Sequence, residues 1–426
     1  MKKFGFSLAT NFDDGLLDAI SGYPVTEVFG KLPSDAIGGG RASFTLPPLS
    51  RRKFERHVKK AGSRGIGFNY LLNPACMDNR EYTRQGQREI ERLLEYIEAA
   101  GVTAVTISLP FLLPIIKKRH PGLKVRVGVY ARVDGVAKAR FWEDNGADCI
   151  TLESLSVNRD FGLLAALRKA LKLELQLIVN ANCQLFCPLS GQHMVNLSHA
   201  SQKGHPTRGF MIDWCVMRCS YDKLKDPAQY LRSEFIRPED LGVYLDMGYD
   251  SFKVLERGAP TPVLVKRVKA YSEGRYGGNL LDLIQPFGYK EKSGAALSGG
   301  LFNKWKYLFR PATVRMSKLM KLKELAAKRG MLEPLQGEPV YIDNSELSGF
   351  LPGFRDRDCR STDCGVCGWC ASYAKKAVRI DEGYRAELLR LYEEAFGDMY
   401  SGETWGIKLP KKQNVKNIQR GNASDQ

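Results

Sequence analysis

Residues 174–187 read ELQLIVNANCQLFC. An apolar run of strand length, 174–180, passes directly into Asn180, Asn182 and Cys183, so polar and thiol side chains stand where the strand ends. Seven runs of the same kind lie at 4–10, 25–29, 66–72, 104–109, 124–130, 149–153 and 251–255. Charged stretches of helical period separate them, among them 52–61, 83–100, 136–145 and 162–170. Gly62, Gly65, Gly101, Gly146 and Gly248 follow helix-like runs and precede strands, as C-cap glycines do. Eight strands with helices between them, in about 260 residues, predict an α/β fold, a TIM-like (β/α)8 barrel. An open doubly wound sheet would share these local signals.

In a barrel, chemistry belongs at the C-terminal ends of the strands. Asn73 and Cys76 follow the third strand, Arg132 the fifth, and Glu153 ends the sixth. Glu256 and Arg257 follow the eighth. After the second strand, Gly38-Gly39-Gly40-Arg41 could bring amides and a guanidinium to an anion, but with no helix behind it the run reads better as a flexible loop.

The cysteines are the sharper signal. Cys183, Cys187, Cys215 and Cys219 form two CxxxC pairs, and the chain opens MKKFGFSLATNFDDG, without an apolar run of signal length. Cytoplasmic thiols in paired spacing point to a metal or iron–sulfur site rather than to disulfides. His193, His199 and His205 fall in the same interval; His193 and Cys76 are candidate additional ligands, the other two histidines loop residues. A second group, Cys359, Cys364, Cys367 and Cys370, is spaced C-x4-C-x2-C-x2-C. Such stacking wraps a loop around a [4Fe–4S] cluster, with structural zinc as the alternative there. Cys149 reads as buried core.

The remaining organisation follows from composition. The predicted units are a barrel over 1–285, a basic connector and helix over 286–340, a cysteine-rich module over 341–400 and a disordered basic tail over 401–426. Net charge is +17, and residues 290–329 carry eleven Lys or Arg against two Glu. With the tail, this footprint suits a polyanion, RNA first, or else a merely solvated surface. The longest apolar run, 102–116, holds two prolines and is too short to span a bilayer at about 20 residues, so no membrane segment is expected.

NANCQLFCPLSGQH, DWCVMRCS and FIRPEDLGVYLDMGYDSFKVLERG together resemble the collagenase-like peptidase family U-32 over roughly residues 1–285. The resemblance rests on the four cysteines, on Pro238, Glu239, Asp240 and Leu241, and on Lys253, Glu256 and Arg257. It implies a TIM-like barrel with an oxygen-sensitive [4Fe–4S] cluster. It further implies oxygen-independent hydroxylation of RNA bases or ubiquinone precursors, with prephenate as hydroxyl source in several members. On that reading Arg132 and Arg257 hold a small carboxylate co-substrate, Glu153 or Glu256 accepts a proton, and Lys253 belongs to the same catalytic set. The sequence departs from the family pattern where KVLERG lacks a glycine between Glu256 and Arg257, and where Cys187 is extra. The second cysteine group is not general to the family either. No Ser–His–Asp set or HExxH motif is evident, so peptidase chemistry is not expected.

Overall fold

The computed structural model describes residues 4–291, 313–332 and 334–407. Eight parallel strands close into a barrel in chain order: β1 (Gly5–Ala9), β2 (Val25–Gly30), β3 (Gly67–Leu72), β4 (Ala104–Ile107), β5 (Lys124–Val127), β6 (Cys149–Thr151), β7 (Glu174–Ile178) and β8 (Ser251–Val254). The register closes where Gly5 pairs with Ser251 and Leu8 with Val254. The open-sheet alternative is thereby excluded. Four of the five glycines have positive φ, 71° at Gly65, 87° at Gly101, 89° at Gly146 and 86° at Gly248. Gly62 instead belongs to the Arg51–Gly62 helix.

The outer faces of the strands supply the apolar core. Phe54 on the Arg51–Gly62 helix meets Phe68 and Tyr70 of β3 edge-on, at 5.4 and 5.5 Å between centroids. Inside, the barrel is polar. Glu27 accepts from Ser7 (2.6 Å) and Asn69 (3.0 Å) and pairs with Arg126 (2.9 Å), which reaches Glu174 (2.8 Å). Thr106 donates to Asn69, Thr151 to Gln176, and Gln176 to Ser251. A buried polar network is tolerable because its members find partners within it. Cys149 lies beside Arg126 and is 1% exposed, so its expected core position holds, in polar rather than apolar company.

Between β7 and β8 lie the helices Ser190–His199 and Trp214–Lys225, so His199, expected in a loop, instead ends a helix. Beyond the barrel, Val340–Ile342 (β9) pairs with Val378–Ile380 (β10). The amide of Leu280 donates to the Ile342 carbonyl, joining β9 to the barrel's last turn. Ile342, Leu347, Phe350 and Phe354 belong to the same buried core as the barrel. Met316–Lys328, Trp369–Ala377 and Glu382–Tyr400 are helices, the first within the segment expected to hold a basic helix; residues 292–312 and 408–426 of the predicted connector and tail lie outside the described residues. Among the described residues no helix is long and apolar enough to cross a membrane.

Candidate functional site

The strand ends open on one rim, and the eighth delivers its charged pair there through an unusual backbone. Glu256 has φ 107°, a conformation few side chains other than glycine's adopt. Its carboxylate accepts from the Arg41 guanidinium. Arg41 arrives on the GGGR loop, which is packed rather than free: the Gly39 amide donates to Ser201 Oγ at 2.7 Å. A Cβ on Gly40 would stand 3.1 Å from the Tyr130 hydroxyl, and one on Gly39 3.1 Å from Asn73 Oδ1. The glycines let the loop lie on the mouth, which corrects the flexible-loop expectation.

Positive charge gathers here with incomplete compensation. Arg257 is 6% exposed and its Nη1 is buried without a hydrogen-bond partner. Burial and then the adjacent Arg41 lower its pKa to about 10, against the pull of Glu256. Lys31 pairs with Asp35 at 2.8 Å, and Tyr70 donates to the same carboxylate at 2.7 Å. Burial opposes the charge on Arg41, while Glu256, Tyr130, Tyr289 and Cys183, in that order, sustain it. Deeper in the barrel, burial lowers Lys253 to about 8; its ammonium lies 4.3 Å from the Phe29 ring centroid.

The first thiol group adjoins this recess. Cys215 and Cys219 are one helical turn apart on Trp214–Lys225, so they share a face. Burial, then Glu234 and Cys219, push the Cys183 thiol well up, although its surface is solvent-exposed. Both hold for a side chain on the wall of a deep recess, crowded by protein yet reached from the mouth. Burial raises the Cys187 thiol and Cys219 adds to this, while the nearby amides of Leu189 and Ser190 oppose it. Cys215 feels Asp213 and then Cys187 and Cys219. Burial raises Glu234 to about 7, against the influence of Ser154 and Cys183; its Oε2 is buried without a hydrogen-bond partner, and its amide donates to the Cys183 carbonyl. The residues that could hold a cofactor here are these four thiols. Among the described residues no three His, Cys, Asp or Glu side chains are set to hold a metal ion.

Of the other residues expected at the site, Glu153 is 2% exposed and accepts from Ser156. Arg132 is half-exposed, its Nε 3.7 Å from a Glu153 carboxylate oxygen. His193 bonds Asp213 (3.1 Å), the N-cap of the Cys215 helix. Cys76 accepts from the Asp78 amide (3.2 Å), in the loop after β3. His199 ends the Ser190–His199 helix and stacks on His205 at 4.5 Å. Lys31, Asp35, Tyr70, Tyr130, Glu234 and Tyr289 carried no local signal in the sequence; only the closed barrel brings them together.

In the second group, Cys359 feels Cys364 and Cys367, and Cys370 feels Cys359 and Cys364. The segments carrying the two groups approach each other: the Arg360 guanidinium lies 5.4 Å from the ring centroid of Phe186, which stands between Cys183 and Cys187 in the sequence. The basic Met316–Lys328 helix has partners on the last helix, Lys318 with Asp398 (2.6 Å) and Lys328 with Glu387 (2.9 Å). A groove of about 660 Å³ elsewhere, between the Thr261–Glu273 helix and residues 344–348, contains no thiol.

One triad-like arrangement does exist. Thr10 Oγ1 is 2.8 Å from His57 Nε2, and His57 Nδ1 is 3.1 Å from Asp14. Thr10 and His57 are fully buried and Phe12 packs on the imidazole at 5.3 Å, so no substrate carbonyl reaches the hydroxyl. It pins β1 to two helices.

Fold and site together define a (β/α)8-barrel protein whose mouth joins buried guanidinium groups to a set of thiols. Residues 47–275 match the family model described as peptidase family U32, and the chain belongs to that family. It is 31% identical over 258 residues to the uncharacterized protease MJ1657 of Methanocaldococcus jannaschii, covering 61% of this chain and 75% of that one. A solved structure titled as the U32 peptidase Mk0906 aligns with a TM-score of 0.43 at 19% identity, over 59% of this chain and 92% of that one.

Proposed function

We propose that the protein is an iron–sulfur enzyme of oxygen-independent hydroxylation or related redox chemistry, working at the barrel mouth on a substrate presented beside a small carboxylate. The observation that carries this reading is that Arg41, bonded to Glu256, lies within electrostatic reach of Cys183 and Tyr130, beside the unpartnered Nη1 of Arg257. A buried guanidinium with a free N–H suits a carboxylate, which it would bind by charge-assisted hydrogen bonds. Arg41, held by Glu256, would brace that site, a part first expected of Arg132. Cys183, Cys187, Cys215 and Cys219 would hold a [4Fe–4S] cluster, which supplies a Lewis-acidic or electron-transferring centre when bound. Glu153 and Glu256 are the carboxylates that would manage protons beside it. Cys359, Cys364, Cys367 and Cys370 would hold a second cluster, or zinc.

RNA is the favoured substrate on net charge. A second reading, the same scaffold acting on a small aromatic or peptide, is favoured by the pairing of Lys318 and Lys328 with acids of the last helix, which reduces the free positive face. The names of relatives suggest peptide hydrolysis, but the sealed Thr10–His57–Asp14 set gives that reading no nucleophile.

Anaerobic purification with iron, zinc and sulfide analysis tests the proposal. About eight irons per chain with matching sulfide, falling to about four in a Cys183→Ala, Cys215→Ala double variant, are expected. Zinc without sulfide would overturn the redox reading and move it to a binding or assembly role.

A further inference from the structure

The exposed aromatic side chains of the barrel collect at its mouth. Among the described residues up to 285 four large aromatics are exposed: Tyr82 (66%), Phe111 (37%), Phe141 (49%) and Phe186 (40%). Three of them stand in βα connections, which open on the C-terminal rim, whereas Phe141 lies on the Val136–Asp144 helix at the flank. Tyr82 and Phe111, after β3 and β4, pack on each other at 5.1 Å between centroids. Phe186, after β7, has φ 53°, and its amide donates to the Leu155 carbonyl at 2.9 Å. A bulky side chain in the left-handed region costs backbone energy, and a ring left partly in water recovers little of it by burial. The Arg360 guanidinium, on an exposed residue, lies 5.4 Å from the centroid of that ring. In a closed barrel of eight strands in chain order, β7 stands across from β3, so the two aromatic groups face each other over the mouth.

We propose that Tyr82 with Phe111, and Phe186 with Arg360, are two stacking platforms that hold a single-stranded RNA across the mouth, one unpaired base on each. Exposed rings stack on nucleobases with little regard to sequence, and a guanidinium beside such a ring adds a phosphate contact or a second stacking plane. Cations border both platforms. Arg84, two residues beyond Tyr82, is exposed. Arg132 is half-exposed, and its partner Glu153 lies two residues before Leu155, whose carbonyl anchors Phe186. The net charge of +17 suits the same polyanion. A nucleotide between the platforms would lie over the recess of Arg257 and Cys183, where the proposed chemistry works. A duplex would present no free base to either platform. The inference rests on the reading of RNA as substrate and adds the side chains that present it.

The test uses the full chain, purified anaerobically, and a labelled single-stranded RNA of about 12 nucleotides, followed by fluorescence anisotropy. Phe186→Ala and Tyr82→Ala should each weaken binding about 5- to 150-fold, the range expected when a stacked base loses its aromatic partner. In the double variant the losses should multiply, because the platforms share no contact. Phe141→Ala should bind like the parent; an equal loss there would overturn the assignment to the mouth. Phe186→Trp should bind like the parent and Phe186→Leu as weakly as Phe186→Ala, whereas binding restored by leucine would make the ring a packing element. Arg360→Gln should flatten the slope of log K against log salt by about 0.7. Unchanged affinity in both alanine variants, or equal affinity for a duplex of the same length, overturns the platforms and leaves the RNA reading standing. A parent that binds no RNA overturns both, while its iron and sulfide content still decides the cluster reading.

Discussion

Lys253 is the residue on which a pH experiment bears most directly. Its folded-state pKa, about 8, lies below the ordinary lysine value of 10.5, so between those limits the unfolded chain binds the extra proton and stability rises with pH. A displacement of that size corresponds to roughly 3 kcal/mol across the window. Lys253→Met should lack this rise, so urea denaturation at about pH 7.5 and about pH 10 should show its advantage over wild type shrinking by about 2–3 kcal/mol. An unchanged difference would mean that Lys253 is not a buried ammonium. The sequence singled out Glu256 and Arg257 because they follow the eighth strand, and Lys253 through the family resemblance. It did not pair Glu256 with Arg41, 215 residues away, because that pairing is made by barrel closure and by a loop whose glycines looked like slack.

At the scale of elements, all eight strands were legible because strands covered by helices read as short apolar runs between periodic segments. The Ser190–His199 and Trp214–Lys225 helices were less legible, since cysteines and polar residues there suggested a ligand loop. What stabilises the second of them lies far along the chain. Glu382–Tyr400 lies along it: Trp214 bonds Tyr400 (3.1 Å), Tyr221 bonds Glu393 (2.9 Å), and Arg385 donates to the Leu224 and Lys225 carbonyls at its C-terminus. Arg385 thus satisfies end carbonyls and complements the helix dipole. Arg385→Ala should cost about 1–2 kcal/mol in urea denaturation and speed hydrogen exchange at residues 219–225. Loss of stability without faster exchange there would show that the capping account is wrong.

For the whole molecule, some cations of the charge excess have carboxylate partners and others lie outside the described residues. Lys292, Lys304, Lys306 and Arg310 belong to the latter. If single-stranded RNA is the partner, deleting residues 292–312 should flatten the slope of log K against log salt by about 0.7 for each phosphate that those cations neutralise. Lys318→Gln with Lys328→Gln should change it little, because those ammonium groups already face carboxylates; the reverse pattern in a filter-binding titration would relocate the RNA to that helix. The cover that Glu382–Tyr400 provides has a consequence in time. Met217 and Leu224 of the thiol-bearing helix pack with Leu388, Leu391, Tyr392 and Phe396. A ribosome adding about 5–20 residues per second needs roughly 10–30 s to travel from one helix to the other. Through that interval the nascent barrel carries an uncovered apolar flank beside Cys215 and Cys219, so the cluster proposed there would meet a more open site if delivered during synthesis than after release.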